Sequence, residues 1–66
     1  MGIFNTERMR ELRDKLGLTQ DEAAKRAGFA SRQAWNNLEN GRQEPSLSTL
    51  ERIAKALGVK PKDLLK

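Results

Sequence analysis

Apolar residues recur along this chain at helical spacing and never in alternation. Met9, Leu12 and Leu16 predict a first helix over about 6–16, with those three on its inner face. Ala23, Ala24 and Ala27 line a second helix over about 19–27, small enough to let a neighbouring helix come close. Trp35 and Leu38 mark the inside of a third, over about 31–39. Leu50, Ile53, Ala54 and Leu57 form the stripe of a fourth, starting at Ser46 or Ser48, with Leu47 just ahead of it. Pro61 suits the first position of a short fifth helix that would bury Leu64 or Leu65. β-branched residues are few, so no strand is expected.

The punctuation agrees with these boundaries. Gly17, Gly28 and Gly58 each follow an apolar helical run, as left-handed C-terminal caps do. The stretch Asn40 to Pro45 separates the third helix from the fourth. Thr19-Gln20-Asp21-Glu22 reads as a capping box, Ser31 as an N-cap, and Ser48 with Glu51 as a second box. With no linker, repeat or low-complexity segment, residues 1–66 are expected to form one all-α, five-helix domain.

Composition narrows the function. A chain of 66 residues buries a modest share of its surface, so its stability is marginal. It contains no Cys and no His. That removes disulfides, thiolate metal sites and the usual zinc geometries, and no cofactor is expected. No run approaches the roughly 20 apolar residues of a membrane span, and no basic segment leads into an apolar one. A cytoplasmic location is expected, and the missing Cys suits a reducing compartment. With no His, Tyr or Cys, and no base placed beside a serine, neither an enzyme nor a small-molecule substrate is expected.

Thirteen Lys and Arg against nine Asp and Glu give a net charge of +4. That balance suits nucleic acid, an acidic protein or an anionic surface. The excess is spread along the chain without a polybasic arm, so charge alone does not choose. Lys55, Lys60 and Lys62 are too few and too dispersed for a membrane-bound amphipathic segment.

Two features do not fit a plain helical bundle. Arg13 lies on the apolar stripe of the first helix, and Glu39 lies on that of the third, four residues after Trp35. Opposite charges on two inward faces suggest a partly buried ion pair. The alternative is that both snorkel to solvent at the stripe edges. The third helix also carries an unusual outer face. At about 100° per residue, with Trp35 at zero, Gln33, Asn36, Asn37 and Asn40 fall within about 100–200°. Arg32 lies at the edge near the N-terminus. Asn is a poor helix former, and a merely solvated face is better built from Glu and Lys. Amides and a guanidinium are what base-edge reading requires. Both readings, base contact and ordinary polar face, stand at this point. A short turn containing Gly28, joining an alanine-lined helix to this one, makes a helix-turn-helix arrangement.

Leu18-Thr19-Gln20-Asp21-Glu22-Ala23-Ala24, Gly28, Leu38-Glu39-Asn40-Gly41-Arg42, Pro45 to Leu50, and Ile53 to Val59 together resemble the lambda-repressor-like (Cro/cI-type, XRE-type) helix-turn-helix family. The resemblance runs over about residues 6–65. It implies a compact five-helix domain that docks as a homodimer on a near-palindromic stretch of double-stranded DNA. By position, it implies base contacts from Arg32, Gln33, Asn36 and Asn37. It implies phosphate contacts from Thr19, Gln20, Ser31, Asn40 and Arg42, and a structural ion pair between Arg13 and Glu39. The chain departs from the family pattern by one extra residue between Gly28 and Leu38, placed in the turn at Phe29 or Ala30, and by Trp35 where a small aliphatic is usual. The recognition face must stay free in a dimer, so Val59, Leu64 and Leu65 are the candidates for its interface.

The leading expectation is therefore a sequence-specific transcriptional regulator, most simply a dimeric repressor. The alternative is a protein-interaction module of the same fold, such as an antitoxin or bridging factor. A large exposed apolar patch would favour that alternative.

Overall fold

The first helix, α1 (Thr6–Lys15), is started by Asn5, whose Oδ1 accepts from the Arg8 backbone N–H at 3.0 Å. Residues 2–66 are described by the computed structural model. Met9 and Leu12 turn inward from α1, as their spacing requires. Leu16 does not: it falls after the last helical residue and is 48% exposed. The chain leaves α1 there through Gly17 (φ 71°), and Leu18 packs against the core from the following segment instead.

Helix α2 (Gln20–Arg26) opens on the expected capping box. Thr19 Oγ1 accepts from the Glu22 backbone N–H at 3.1 Å, and Glu22 Oε1 accepts from the Thr19 backbone N–H at 2.9 Å. Those bonds also hold the Glu22 carboxyl below the ordinary value, the Thr19 backbone bond contributing most. Ala23, Ala24 and the C-cap Ala27 are buried. The chain reverses at Gly28 (φ 75°), a conformation that strains any residue with a Cβ.

Helix α3 (Arg32–Glu39) follows a turn in which Phe29 is half-buried and Ala30 exposed. The Phe29 ring sits 6.0 Å from that of Trp35, tilted by 48°. Arg52 clamps the same turn from α4: Nε donates to Ala27 O at 3.0 Å, Nη2 donates to Gly28 O, and the guanidinium lies 5.4 Å from the Phe29 ring centre.

Helix α4 (Leu47–Leu57) starts at Ser46, whose Oγ accepts from the Thr49 backbone N–H at 3.2 Å. The Ser48–Glu51 box therefore does not form the helix start. Leu50, Ile53, Ala54, Ala56 and Leu57 are buried, whereas Leu47, in the first turn, is 71% exposed. Gly58 (φ 72°) ends the helix.

The expected fifth helix is a single 3₁₀ turn, Pro61–Leu64. Four residues are too few for an α-helical ladder, and Leu65 is already extended. Its segment pairs with the N-terminal one. Asn5 N–H donates to Leu64 O at 2.7 Å, Lys66 N–H donates to Ile3 O at 2.8 Å, and Phe4 and Leu65 form an isolated antiparallel bridge. Phe4 enters the core through this pairing, a contribution that helical periodicity could not reveal. The fold is thus all-α among the described residues, with four α-helices around a core centred on Trp35, Met9, Ile53 and Leu64.

Candidate nucleic-acid interface

The interface is built around a buried carboxylate. Glu39, at the end of α3, is 2% exposed. It accepts four hydrogen bonds, two on each oxygen. Arg13 donates from Nε to Oε2 at 2.8 Å and from Nη2 to Oε1 at 3.1 Å. Trp35 Nε1 donates to Oε2 at 2.7 Å, and Gln20 Nε2 donates to Oε1 at 3.0 Å. Arg13 Nη1 also donates to Leu18 O at 2.8 Å, tying the segment between α1 and α2 into the same cluster. Snorkelling is therefore excluded for this pair. Among the described residues, no buried side-chain polar atom lacks a partner.

The electrostatics follow from that geometry. Burial pushes the Glu39 carboxyl up, but the bonds from Arg13, Trp35 and Gln20 and the Arg13 charge outweigh it and hold the group below its ordinary value. The bond to Glu39 raises Arg13 in turn, against a smaller opposing effect of burial. Both groups are charged at neutral pH.

This cluster aims α3. Trp35 is completely buried, so the opposite side of the helix must face solvent. Arg32 and Gln33 are exposed in its first turn, and Asn37 is half-buried one turn later. Gln33 Nε2 donates to Asn37 Oδ1 at 2.9 Å, placing the two amides edge to edge. Asn36 is turned toward α2, where its Nδ2 donates to Gln20 Oε1 at 3.2 Å. Asn40 and Arg42 are exposed beyond the helix end, and both donate to Asn36 Oδ1, at 3.0 and 3.5 Å.

Thr19 and Ser31 are exposed at the N-cap positions of α2 and α3, and Gln20, half-buried, begins α2. The Thr19 hydroxyl is occupied as a cap, whereas Ser31, at the N-cap position of α3, makes no side-chain cap bond. Val59 is half-buried against the core, Leu64 is completely buried, and Leu65 is 37% exposed. Leu64 is thus a core residue and is not available to an interface. Leu65 remains accessible, as does Ile3 on the segment paired with it.

Sequence reasoning missed two members of this site. The Trp35 indole reads as core, and its bond to Glu39 was signalled only by their spacing of four. Arg10 lies one turn before Arg13 and approaches Glu39 with Nε 3.5 Å from Oε1, while its Nη2 donates to Asn40 Oδ1 at 3.4 Å.

No group of acidic, His or Cys side chains among the described residues could hold a metal ion. No helix among them is long and apolar enough to cross a membrane.

Known proteins place this arrangement. The sequence profile of the family described as "Helix-turn-helix domain" matches residues 6–66. An uncharacterized HTH-type transcriptional regulator of Methanothermobacter thermautotrophicus is 54% identical over 50 residues, covering 76% of this chain and 71% of that protein. The restriction-modification controller protein C.AhdI of Aeromonas hydrophila superposes with a TM-score of 0.85 at 33% identity, over 91% of this chain and 89% of its own. The P22 c2 repressor, solved in complex with a synthetic operator, superposes with a TM-score of 0.85 at 36% identity, over 92% and 91%. The chain belongs to the lambda-repressor-like helix-turn-helix family of DNA-binding transcriptional regulators.

Proposed function

We propose that this protein is a dimeric repressor that reads a palindromic operator by inserting α3 into the major groove. The observation that carries this reading is the outward side of α3. Arg32, Gln33 and Asn37 present a guanidinium and two amides to solvent on a helix whose opposite side is locked by Trp35 and Glu39. A recognition helix makes its base contacts mainly from its N-terminal residues. Arg32 is suited to guanine, and Gln33 and Asn37 to adenine.

Ser31 precedes α3, Asn40 and Arg42 follow its end, and Gln20, in the first turn of α2 after the cap Thr19, is bonded to Asn36 and Glu39 in its C-terminal half. Polar groups on both sides of a reading helix are suited to successive phosphates, which set its register without carrying sequence information. The likeness to a repressor solved with its operator supports the same docking.

One helix covers too few base pairs for useful specificity, and a two-fold dimer doubles the site. Away from α3 in sequence, the paired terminal segment offers accessible apolar groups in Ile3 and Leu65. The test is selection of bound duplexes from a random pool by the purified chain. A palindromic consensus is expected. A consensus without dyad symmetry would overturn the dimer, and no enrichment would overturn DNA reading.

A further inference from the structure

Asn36 sits in a closed circuit of side chains. Arg10 Nη2 donates to Asn40 Oδ1 at 3.4 Å, and Asn40 Nδ2 donates to Asn36 Oδ1 at 3.0 Å. Asn36 Nδ2 donates to Gln20 Oε1 at 3.2 Å, and Gln20 Nε2 donates to Glu39 Oε1 at 3.0 Å. Arg10 Nε, 3.5 Å from the same Glu39 oxygen, closes the loop.

The two ends give this chain a direction. A guanidinium only donates, and a carboxylate only accepts. Each of the three amides between them must therefore receive on its oxygen and give through its nitrogen. None can turn over without breaking two bonds. Asn36 is the most committed: its oxygen also receives Gln33 Nε2 at 3.4 Å and Arg42 Nη1 at 3.5 Å. Bidentate recognition of adenine uses the oxygen and the nitrogen of one amide together. At Asn36 the oxygen is filled by three donors and one of the two Nδ2 hydrogens is given to Gln20, so no free oxygen remains for such a pair. At Asn37 only the oxygen is engaged, by Gln33, and Arg32 makes no side-chain hydrogen bond among the described residues.

We propose that Asn36 is a positioning residue rather than a base reader. It fastens Gln20, at the start of α2, to Asn40 and Arg42, beyond the end of α3, with Arg10 as the anchored end of the chain. The polar groups gathered at the C-terminal half of the reading helix are thereby held as one preorganised unit. Preorganisation lowers the ordering cost of binding, equally for every DNA sequence. This inference rests on the reading of α3 as the DNA-contacting helix.

The experiment uses the full chain with Asn36→Ala, Gln20→Ala and the double variant, each titrated on the selected duplex and on every single-base change of it. Asn36→Ala should weaken all duplexes alike, by roughly three- to tenfold, the size of a lost hydrogen bond. Added to Gln20→Ala it should cost no more than about a further twofold, because residues acting through one another are not additive.

Side-chain amide NMR of the free protein examines the circuit without DNA. Asn36→Ala should shift the Gln20 Nε2 resonances, and Arg10→Ala, at a half-exposed position, should shift those of Asn40 and Asn36. A changed base preference at one operator position in Asn36→Ala would make Asn36 a reader and overturn the proposal. Full additivity with Gln20→Ala, or unmoved Gln20 resonances, would do the same. If the resonances move as expected but the parent chain selects no duplex, the DNA reading fails and the positioning role falls with it.

Discussion

Arg13 and Glu39 lie 26 residues apart in sequence and meet side-on, two guanidinium nitrogens against two carboxylate oxygens at 2.8 and 3.1 Å. This pairing joins α1 to the end of α3, and its parallel geometry is the strong form of an arginine–carboxylate contact. Removing one partner strands the other charge in the interior, at about 3–5 kcal/mol. A domain this small holds little more than about 5 kcal/mol in total. Arg13→Met should therefore unfold much of the population at 25 °C, as read by circular dichroism. Replacing both residues with apolar ones of similar volume should restore much of the lost stability. A single variant melting within a few degrees of the parent would contradict the burial of this pair.

The same carboxylate makes stability depend on acid. The folded Glu39 carboxyl is held below its ordinary value, so the unfolded chain binds the proton more readily. Its contribution is complete above the unfolded value, near pH 4–5, and is lost as pH falls through the lowered folded value. Glu22 is shifted in the same direction by its cap bonds and adds to the effect. Urea midpoints should be nearly flat in pH above this window and fall below it. Glu39→Gln should be less stable at neutral pH and should flatten the acid limb, leaving the part due to Glu22. An unchanged acid limb in that variant would remove Glu39 from the account.

Trp35 offers a separate probe, because its ring packs and its Nε1 donates. Trp35→Phe keeps an aromatic ring beside Phe29 but takes one of the four donors from Glu39. A hydrogen bond to a charged group contributes about 1.5–3 kcal/mol, and the smaller ring adds a packing loss. The denaturation midpoint should drop accordingly, and the NMR-titrated pKa of Glu39 should rise toward its ordinary value. A drop in stability with no movement of that pKa would mean the indole acts by packing alone.

How much of this was legible in the sequence differs by level. Periodicity located all four α-helices because each has an apolar stripe, and the ion pair showed because Arg13 and Glu39 each interrupt one. Leu16 was misplaced because a wheel continues past the residue where a glycine ends the helix. Phe4 and Leu65 were opaque because their pairing joins the two ends of the chain, which no local pattern encodes. Asn36 was legible only in part. The wheel puts it about 60° from Glu39, on the flank that faces α2, but its commitment to Gln20 depends on where α2 lies.

Dimerisation should appear on DNA before it appears in free solution. The accessible apolar groups at the paired termini are few, so the free dimer should be weak. On a full operator the complex should contain two chains, with reading helices about 34 Å apart along one face. If the two-fold interface runs through Leu65, Leu65→Lys sets two charges against each other there and should lower affinity for the full operator far more than for a half-site. Leu64, completely buried, should instead report stability when truncated. A one-to-one complex at saturating protein would contradict the dimer.

Base reading by α3 separates from phosphate contact in one set of titrations. Gln33→Ala removes an exposed amide in the first turn of the helix and frees the Asn37 oxygen it holds. A good bidentate contact contributes about 1–3 kcal/mol of discrimination. The variant should therefore bind more weakly and tolerate any base at one position in each half-site. Arg32→Ala should relax a second position. Arg42→Ala lies beyond the helix end and should weaken all duplexes alike, lowering the salt slope by about one for each phosphate that the side chain no longer neutralises. The measurement is a base-by-base affinity profile for each variant at two salt concentrations. If Arg32, Gln33 and Asn37 can all be replaced without altering that profile, α3 is not the reader, and its amide face serves another partner.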